Sequence, residues 1–334
     1  MTREVEGAGS KADNADYYKP LVFVAGAEDE GRGLRDVLRK RIGISRRLMV
    51  RLKTSQEGLT VNGRKALPYD KVSEGDVIEL RMETEESDDI LPQEMELDIV
   101  FEDEHLLVVN KPAGIIVHPT TGRYLNTLAN GIVQYWQSRG ERVRFRPVNR
   151  IDEHTSGLVI VAKHKFAHQQ LAAQMTADRV DKQYRAYAYG HPPESKGEIT
   201  GPIGRQTEDP HRRVVREDGQ HALTYYEVAD TYGDEACALD IRLGTGRTHQ
   251  IRVHMTSIGC PLIGDSYYSE DRWNETPLAA RLAGVIGRQA LHAISLGFEH
   301  PVTGESMRLT AALPEDLQRL EAELRNIREE SSLA

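Results

Sequence analysis

Between Leu34 and Ile42 the apolar residues Leu34, Val37, Leu38 and Ile42 recur at three- and four-residue intervals, which predicts a helix over 33–42. Ser45 is placed to cap a second helix with Leu48, Met49 and Leu52 on its apolar face. The period then shortens. Leu59-Thr60-Val61 runs into Asn62-Gly63, a pair suited to a tight turn with positive φ, and Gly75-Asp76 precedes a strand at Val77–Leu80. Further on, Leu97–Phe101 and Leu106–Asn110 read as a hairpin around Glu102-Asp103-Glu104, ended at Lys111-Pro112 because proline has no ladder donor. Helices are expected over 125–138, 166–178 and Thr248–Ile258, the last with Ile251, Met255 and Ile258 on one face. Residues 158–162 read as a buried strand, Tyr184–Tyr189 as an alternating one, and 222–229 with 236–243 as a hairpin. His292, Ile294, Leu296 and Phe298 alternate as a late strand, and Leu317, Leu320, Leu324 and Ile327 follow Pro314 at helical spacing. Strands outnumber helices without strict βαβ alternation. The pattern is α+β, with a mixed, largely antiparallel sheet flanked by helices.

Charge changes this picture by being segregated. The net charge of −9 argues at first against a nucleic-acid partner. Yet residues 32–53 hold nine basic side chains, among them Arg35, Arg39, Arg46, Arg47, Arg51 and Lys53, against the single acid Asp36, a net of +8. Residues 83–104 hold eleven acids and no Lys or Arg. Nine cations on two short helices repel one another unless a partner offsets them, so the block reads as an RNA-phosphate surface in preference to a merely solvated face. The paired Arg-rich helices, then LTVNGR, then SEGDVIEL, resemble the S4-like RNA-binding domain over about residues 31–82. The chain is accordingly divided into a polar, disordered tail at 1–20, a small α/β S4-like domain at 21–82, an acidic, Pro-containing linker at 83–96, and a catalytic domain at 97–330.

Composition adds limits. With 39% hydrophobic and 28% charged residues, the chain suits a soluble globular protein. Its apolar runs, such as Leu21–Ala25 and Leu158–Ala162, are strand-sized and far short of a membrane span, and the N-terminus lacks an apolar signal core. Cys237 and Cys260 are isolated and form no metal-ligand spacing, so a reduced cytoplasmic setting with both thiols as small buried hydrophobes is expected.

Four segments combine polar catalytic residue types with turns: Val148–Leu158 (VNRIDEHTSGL), Lys182–Ala186, Gly246–His254 (GRTHQIRVH) and Arg288–Ala293. In the first, Asp152 follows Arg150 in a polar loop that feeds a buried strand, where a rigid scaffold presents a reactive side chain. An isolated aspartate there would more often cap the amides of Thr155 or Ser156. His249 and His254 are five apart on an expected helix, hence on different faces, and suit packing or RNA contact better than a metal. Gly244 and Gly246 lack the third glycine of a dinucleotide fingerprint.

Together with Asn110–Gly114 (NKPAG), these segments resemble, in order and over roughly residues 97–312, the RluA/RluD-type family of pseudouridine synthases. The resemblance implies isomerisation of uridine to pseudouridine in structured RNA, with no cofactor and no metal. It matches Asp152 to the catalytic aspartate, Tyr184 to the tyrosine that stacks on the target base, Arg252 to the basic partner of the aspartate, and Arg150 to an arginine that enters the space left by the flipped base. The family often has histidine where this chain has Asn149; an amide cannot titrate as imidazole does, so the departure is expected to bear on loop shape or RNA contact. The chemistry fits the residue types. A carboxylate beside a sugar carbon can act as nucleophile or base, through a covalent adduct or a glycal, and either route needs it ionised. The appended S4-like domain points to large-subunit ribosomal RNA over transfer RNA, and a monomer is expected. The competing readings are a non-catalytic RNA-binding ribosome-assembly factor, disfavoured by the intact Asp152, Tyr184 and Arg252, and a glycosidase, which would need a second placed carboxylate.

Overall fold

The computed structural model describes residues 17–269, 273 and 275–333 of the 334. Most of the expected tail, residues 1–16, lies outside the described residues, whereas Tyr17 forms a bridge with Glu83 and the Tyr18 amide donates to the Met82 carbonyl. The chain divides into two compact units, one of residues 1–86 with 142–144 and one of residues 87–141 with 145–334.

The first unit is built from β1 (Leu21–Val24), α1 (Leu34–Asp36, continued by a wider helical turn over Val37–Arg41), α2 (Arg46–Thr54), β2 (Leu59–Val61), β3 (Arg64–Lys65) and β4 (Val77–Leu80). Its sheet runs β1-β4-β2-β3, every pair antiparallel. The helical spacing buries Leu34, Val37, Leu38, Leu48, Met49 and Leu52, and Ser45 caps α2 by accepting from the Leu48 amide. Asn62 and Gly63 both take positive φ, 50° and 74°, the backbone a two-residue hairpin requires.

The stretch expected as a free linker is in part structural. Ser87 and Ile90 are buried, the Ser87 hydroxyl accepts from the Phe145 amide, and the Gln93 amide donates to the Asn130 carbonyl. Its acidic composition masked these anchor points.

The second unit holds β5 (Asp98–Glu102), β6 (Leu106–Lys111), α3 (Leu128–Ser138), β7 (Ser156–Ala162), α4 (Lys165–Thr176), β8 (Asp181–Tyr189), β9 (Lys196–Ile199), β10 (Ile203–Arg205), β11 (Arg213–Val215), β12 (Thr224–Tyr232), β13 (Ala236–Leu243), α5 (Gln250–Ser257), α6 (Pro277–Leu282), β14 (Leu291–Glu299), β15 (Ser306–Thr310) and α7 (Glu315–Leu333). The large sheet runs β5-β6-β7-β14-β8-β13-β12-β9, with β15 also on β14, while β10 and β11 form a separate hairpin. Its pairs are antiparallel except β7 with β14, so the sheet is mixed and largely antiparallel as the pattern predicts. β7 is buried along its whole length, which its continuous apolar run SGLVIVA requires. At the parallel seam Ser156 faces His292 and Gly157 faces Ala293. Gly157 has φ +117°, and any Cβ there would collide with the Ala293 carbonyl, so the position admits only glycine.

One core cluster joins Leu106, Val108, Leu158 and Ile160 to Leu171 of α4 and to Leu296 and Phe298 of β14. A second joins Tyr187, Tyr189 and Ala238 to Leu278 and Leu282 of α6 and Leu317, Leu320 and Leu324 of α7. The first cluster joins both strands of the seam, and the polar loop that leads into β7 is left to form the site. Both cysteines are buried, and neither is in a disulfide. No helix among the described residues is long and apolar enough to cross a membrane.

Candidate active site

The loop Val148–Thr155 leads into β7, and nearly every group in it is tied down. Asn149 is bound to the strand it precedes: its Nδ2 donates to the Leu158 carbonyl at 3.1 Å and its Oδ1 accepts from the Ile160 amide at 2.8 Å. Here the amide shapes the loop by using its donor and acceptor at once. On the other side of Asp152, the Glu153 carbonyl accepts from the Gly114 amide and from Lys111 Nζ. Lys111 is fully buried, with Nζ also on the carbonyls of Pro112 and Ile115 at 2.8 Å. Burial and the nearby Arg288 charge bring its pKa down to about 7, against which Asp152 and Glu153 act. Arg288 continues the anchoring. Its fork lies on Asp316 at 2.7 and 3.0 Å, Nη1 reaches the His154 carbonyl and Nη2 the Ser156 hydroxyl. Glu153 itself turns to Arg123, with two bonds of 2.7 Å.

Held this way, the Asp152 side chain does not cap its own loop; the Thr155 amide donates to the Asp152 backbone carbonyl instead. The carboxylate faces Arg252 on α5, with Nη1 3.3 Å from Oδ2. Arg252 is buried and points there because its other two nitrogens are fixed, Nε at 2.6 Å and Nη2 at 2.8 Å from the two oxygens of Asp265. Burial opposes its charge, but the bonds to Asp265 and the charges of Asp265 and Asp152 outweigh that and raise its pKa above the ordinary arginine value. Asp265 is itself 2% exposed and follows Gly264, which has φ +73° and no room for a Cβ beside the Arg288 carbonyl.

Asp152, Arg252, Tyr184 and Arg150 line one cleft of about 1130 Å³, with His249, Lys182, Ile151 and Leu291 among its other walls. Tyr184 stands on β8 and is 8% exposed; burial first, then the Asp152 charge, raises its hydroxyl pKa well above the phenol value. Arg150 is exposed at the cleft. Thus four residues singled out in the sequence share one cavity. Arg35, Arg39, Arg46, Arg47, Arg51 and Lys53 belong to the first unit, where all six are exposed; Arg51 lies 3.4 Å from Glu85. Arg41 of the same block is bound to the buried Asp29 and close to Glu28, acids just upstream that offset part of the +8.

Sequence reasoning passed over Asp265, and it singled out the segments that hold Lys111 and Arg288 without assigning either residue a role. The Asp265 signal was present in a charged residue directly after the apolar Leu262-Ile263 and a glycine, a place where an acid is buried or functional. His249 and His254 go separate ways, as their spacing predicts: His254 is buried on the Thr224 hydroxyl and the Gly201 carbonyl, and His249 enters the cleft.

A family model described as RNA pseudouridylate synthase matches residues 105–257. The RNA pseudouridine synthase YjbO of Bacillus subtilis is 38% identical over 280 residues, 84% of this chain and 95% of that protein. Ribosomal large subunit pseudouridine synthase D of Zymomonas mobilis is 43% identical over 69% of this chain and 73% of its own. Among solved structures, human RNA pseudouridylate synthase domain containing 1 superposes with a TM-score of 0.53 at 27% identity, over 69% of this chain and 95% of that one.

Proposed function

The chain belongs to the RNA pseudouridine synthase family, isomerases that act on RNA, and from that premise we propose that Asp152 is its reacting carboxylate and large-subunit ribosomal RNA its substrate. The observation that carries the first part is the fork of Arg252 on Asp265, which leaves one guanidinium nitrogen aimed at Asp152 Oδ2. A buried, fixed cation holds the carboxylate in one rotamer without consuming both of its oxygens.

The reaction breaks the bond from uracil N1 to ribose C1′, turns the base, and rejoins it through C5, whose proton is then lost. Ionised Asp152 serves as nucleophile at C1′ or as base toward the ribose. A uridine in folded RNA must leave its stack at a cost of a few kcal/mol. Stacking on the Tyr184 ring returns about 1–3 kcal/mol of that. Burial and the Asp152 charge keep the Tyr184 hydroxyl protonated, a form that is no base for the C5 proton, so its part is the ring. Arg150, exposed at the cleft, fills the space the uridine vacates.

The ribosomal substrate is supported by the several relatives named ribosomal large subunit pseudouridine synthase D. The first unit, with two basic helices beside a four-stranded sheet, is assigned the role of an S4-like RNA-binding domain whose exposed arginines meet phosphates. The enzyme is taken to work as a cytoplasmic monomer. The test of the site is tritium release from C5 of labelled uridine in ribosomal RNA. Asp152→Asn, nearly isosteric but uncharged, should lose roughly 10⁴-fold in turnover while binding RNA normally. Activity within tenfold of wild type would refute the assignment. Mapping pseudouridines in cells lacking the protein tests the substrate, since an unchanged large-subunit map removes it.

A further inference from the structure

Asp152 has a second polar neighbour, and it arrives by an unusual backbone. His249 precedes α5 with φ 56° and ψ 20°, one of four non-glycine residues with positive φ among those described, and its imidazole stands in the cleft with Nε2 4.0 Å from Asp152 Oδ2. Arg252 Nη1 approaches the same oxygen. The two donors therefore converge on Oδ2 from one helix terminus.

The other ring nitrogen decides what His249 can present. Nδ1 lies 2.7 Å from the Tyr268 hydroxyl, and that hydroxyl already accepts from the Arg213 amide at 2.9 Å. With one lone pair engaged by a backbone donor, the hydroxyl proton is directed to Nδ1. The opposite tautomer would also set a bare Nε2 lone pair against a carboxylate oxygen, an unfavourable pairing. Both conditions select Nε2–H. Tyr268 is held for this part by its surroundings: Arg252 lies over its ring at 4.7 Å and Arg212 at 5.5 Å. The charged groups facing His249 are Asp152 and Asp265, which favour its cation, and Arg252 and Arg213, which oppose it.

We infer that His249 is a positioning residue for Asp152: fixed by Tyr268 as the Nε2–H tautomer, it closes with Arg252 on Oδ2 when RNA fills the cleft and leaves Oδ1 as the oxygen that meets the ribose. This rests on the reading of Asp152 as the reacting group. The 4.0 Å separation belongs to the free enzyme, in which such bonds are commonly long and tighten around substrate. Different work thus falls to the two oxygens of one carboxylate, and Tyr268 becomes part of the site without touching RNA.

The test compares two replacements that a structural role and a positioning role rank in opposite order. Asparagine is the better fit to the left-handed backbone, but its amide sits where Nδ1 was and falls short of Asp152. Glutamine suits that backbone less well and can place its Nε2–H near the original one. In single-turnover reactions at saturating enzyme, His249→Gln should stay within about tenfold of wild type and His249→Asn should fall about a hundredfold, the scale expected for removal of one donor. The reverse order, or equal rates, would overturn the inference. Tyr268→Phe removes the group that fixes the tautomer, so part of the neutral imidazole turns to Nδ1–H and the rate should fall at neutral pH and recover on the acid side, where the cation carries a proton on Nε2 in either case. An unchanged pH profile would count against it. Nitrogen-15 spectra of the wild-type imidazole give a check without turnover: Nε2 protonated and Nδ1 bare is expected, and the opposite pattern would overturn it. Asp152→Asn in the same series separates the two readings. If that variant turns over, the site assignment fails; if it is inert while His249→Asn matches wild type, only the role of His249 fails.

Discussion

Arg46 and Arg47 stand exposed on α2, whereas Arg252 and Arg288 are 7% and 8% exposed and each lays its fork along a carboxylate. The first pair displays charge. The second pair has been stripped of water and rotameric freedom, so each guanidinium works as a fixed strut with one nitrogen left over for the loop around Asp152. Displayed charge suits a partner whose phosphates shift along a surface and whose grip is set by salt. Fixed charge suits a reaction in which a misplacement of an ångström is costly. The same residue type is thus solvated in one unit and fixed in the other, and burial separates the two.

Breaking a strut should have the largest effect. Arg252→Ala leaves Asp265 buried without its partner and Asp152 without its cation. Stability should fall by about 3 kcal/mol in urea unfolding. Single-turnover rate should fall on the order of 10³-fold. A near-normal rate in a folded variant would show that the fixed cation is dispensable.

Lys111 comes next, because it anchors the loop without facing the cleft. Lys111→Met strands three carbonyls and should cost on the order of 3 kcal/mol. Its pH dependence has a definite sign. The folded-state pKa of about 7 lies below the unfolded value of 10.5, so between those limits the unfolded chain binds the extra proton. Stability from this residue is therefore present above the unfolded value and lost as pH falls through 7. Unfolding of wild type and Lys111→Met across pH 7 to 10.5 should show their difference widening as pH rises; parallel curves would mean that the amine is not depressed.

The smallest effect on chemistry should come from the displayed charges. Arg46→Gln with Arg47→Gln should leave stability within about 0.5 kcal/mol. The slope of log affinity against log salt should flatten by about 0.7–0.9 for each phosphate that is no longer neutralised. An unchanged slope would reduce these arginines to a solvated face.

What could be read from the chain was whatever a few neighbouring residues decide. Asn62-Gly63 fixes its hairpin through φ, Ser45 its helix through one amide, and 222–243 its pairing through alternation. That Asp152, Tyr184 and Arg252 belong together could be read from the ordered set of motifs that carries them, and the three line one cleft. The supports were not, because each is a long-range pairing: Arg288 meets the His154 carbonyl across 134 positions, and Lys111 meets that of Glu153 across 42. A buried ion pair leaves no periodic trace in either partner's neighbourhood. β9, β10, β11 and β15 also passed unread, being three to five residues long with polar positions mixed in. The start of α5 was placed two residues early, since nothing local foretells that His249 turns left-handed before the helix begins at Gln250.

The seam between β7 and β14 bears on how the protein comes to life as it is synthesised. β14 lies between β7, which carries the Asp152 loop, and β8, which carries Tyr184, yet it is translated well after both. Closing it against Ser156 joins residues 136 positions apart. A chain that already includes Asp152, Tyr184 and Arg252 but not β14 lacks the strand that ties the Asp152 loop to the strand of Tyr184. Competence therefore waits on residues 291–299 joining the sheet, and a product that stops before residue 291 should be inert.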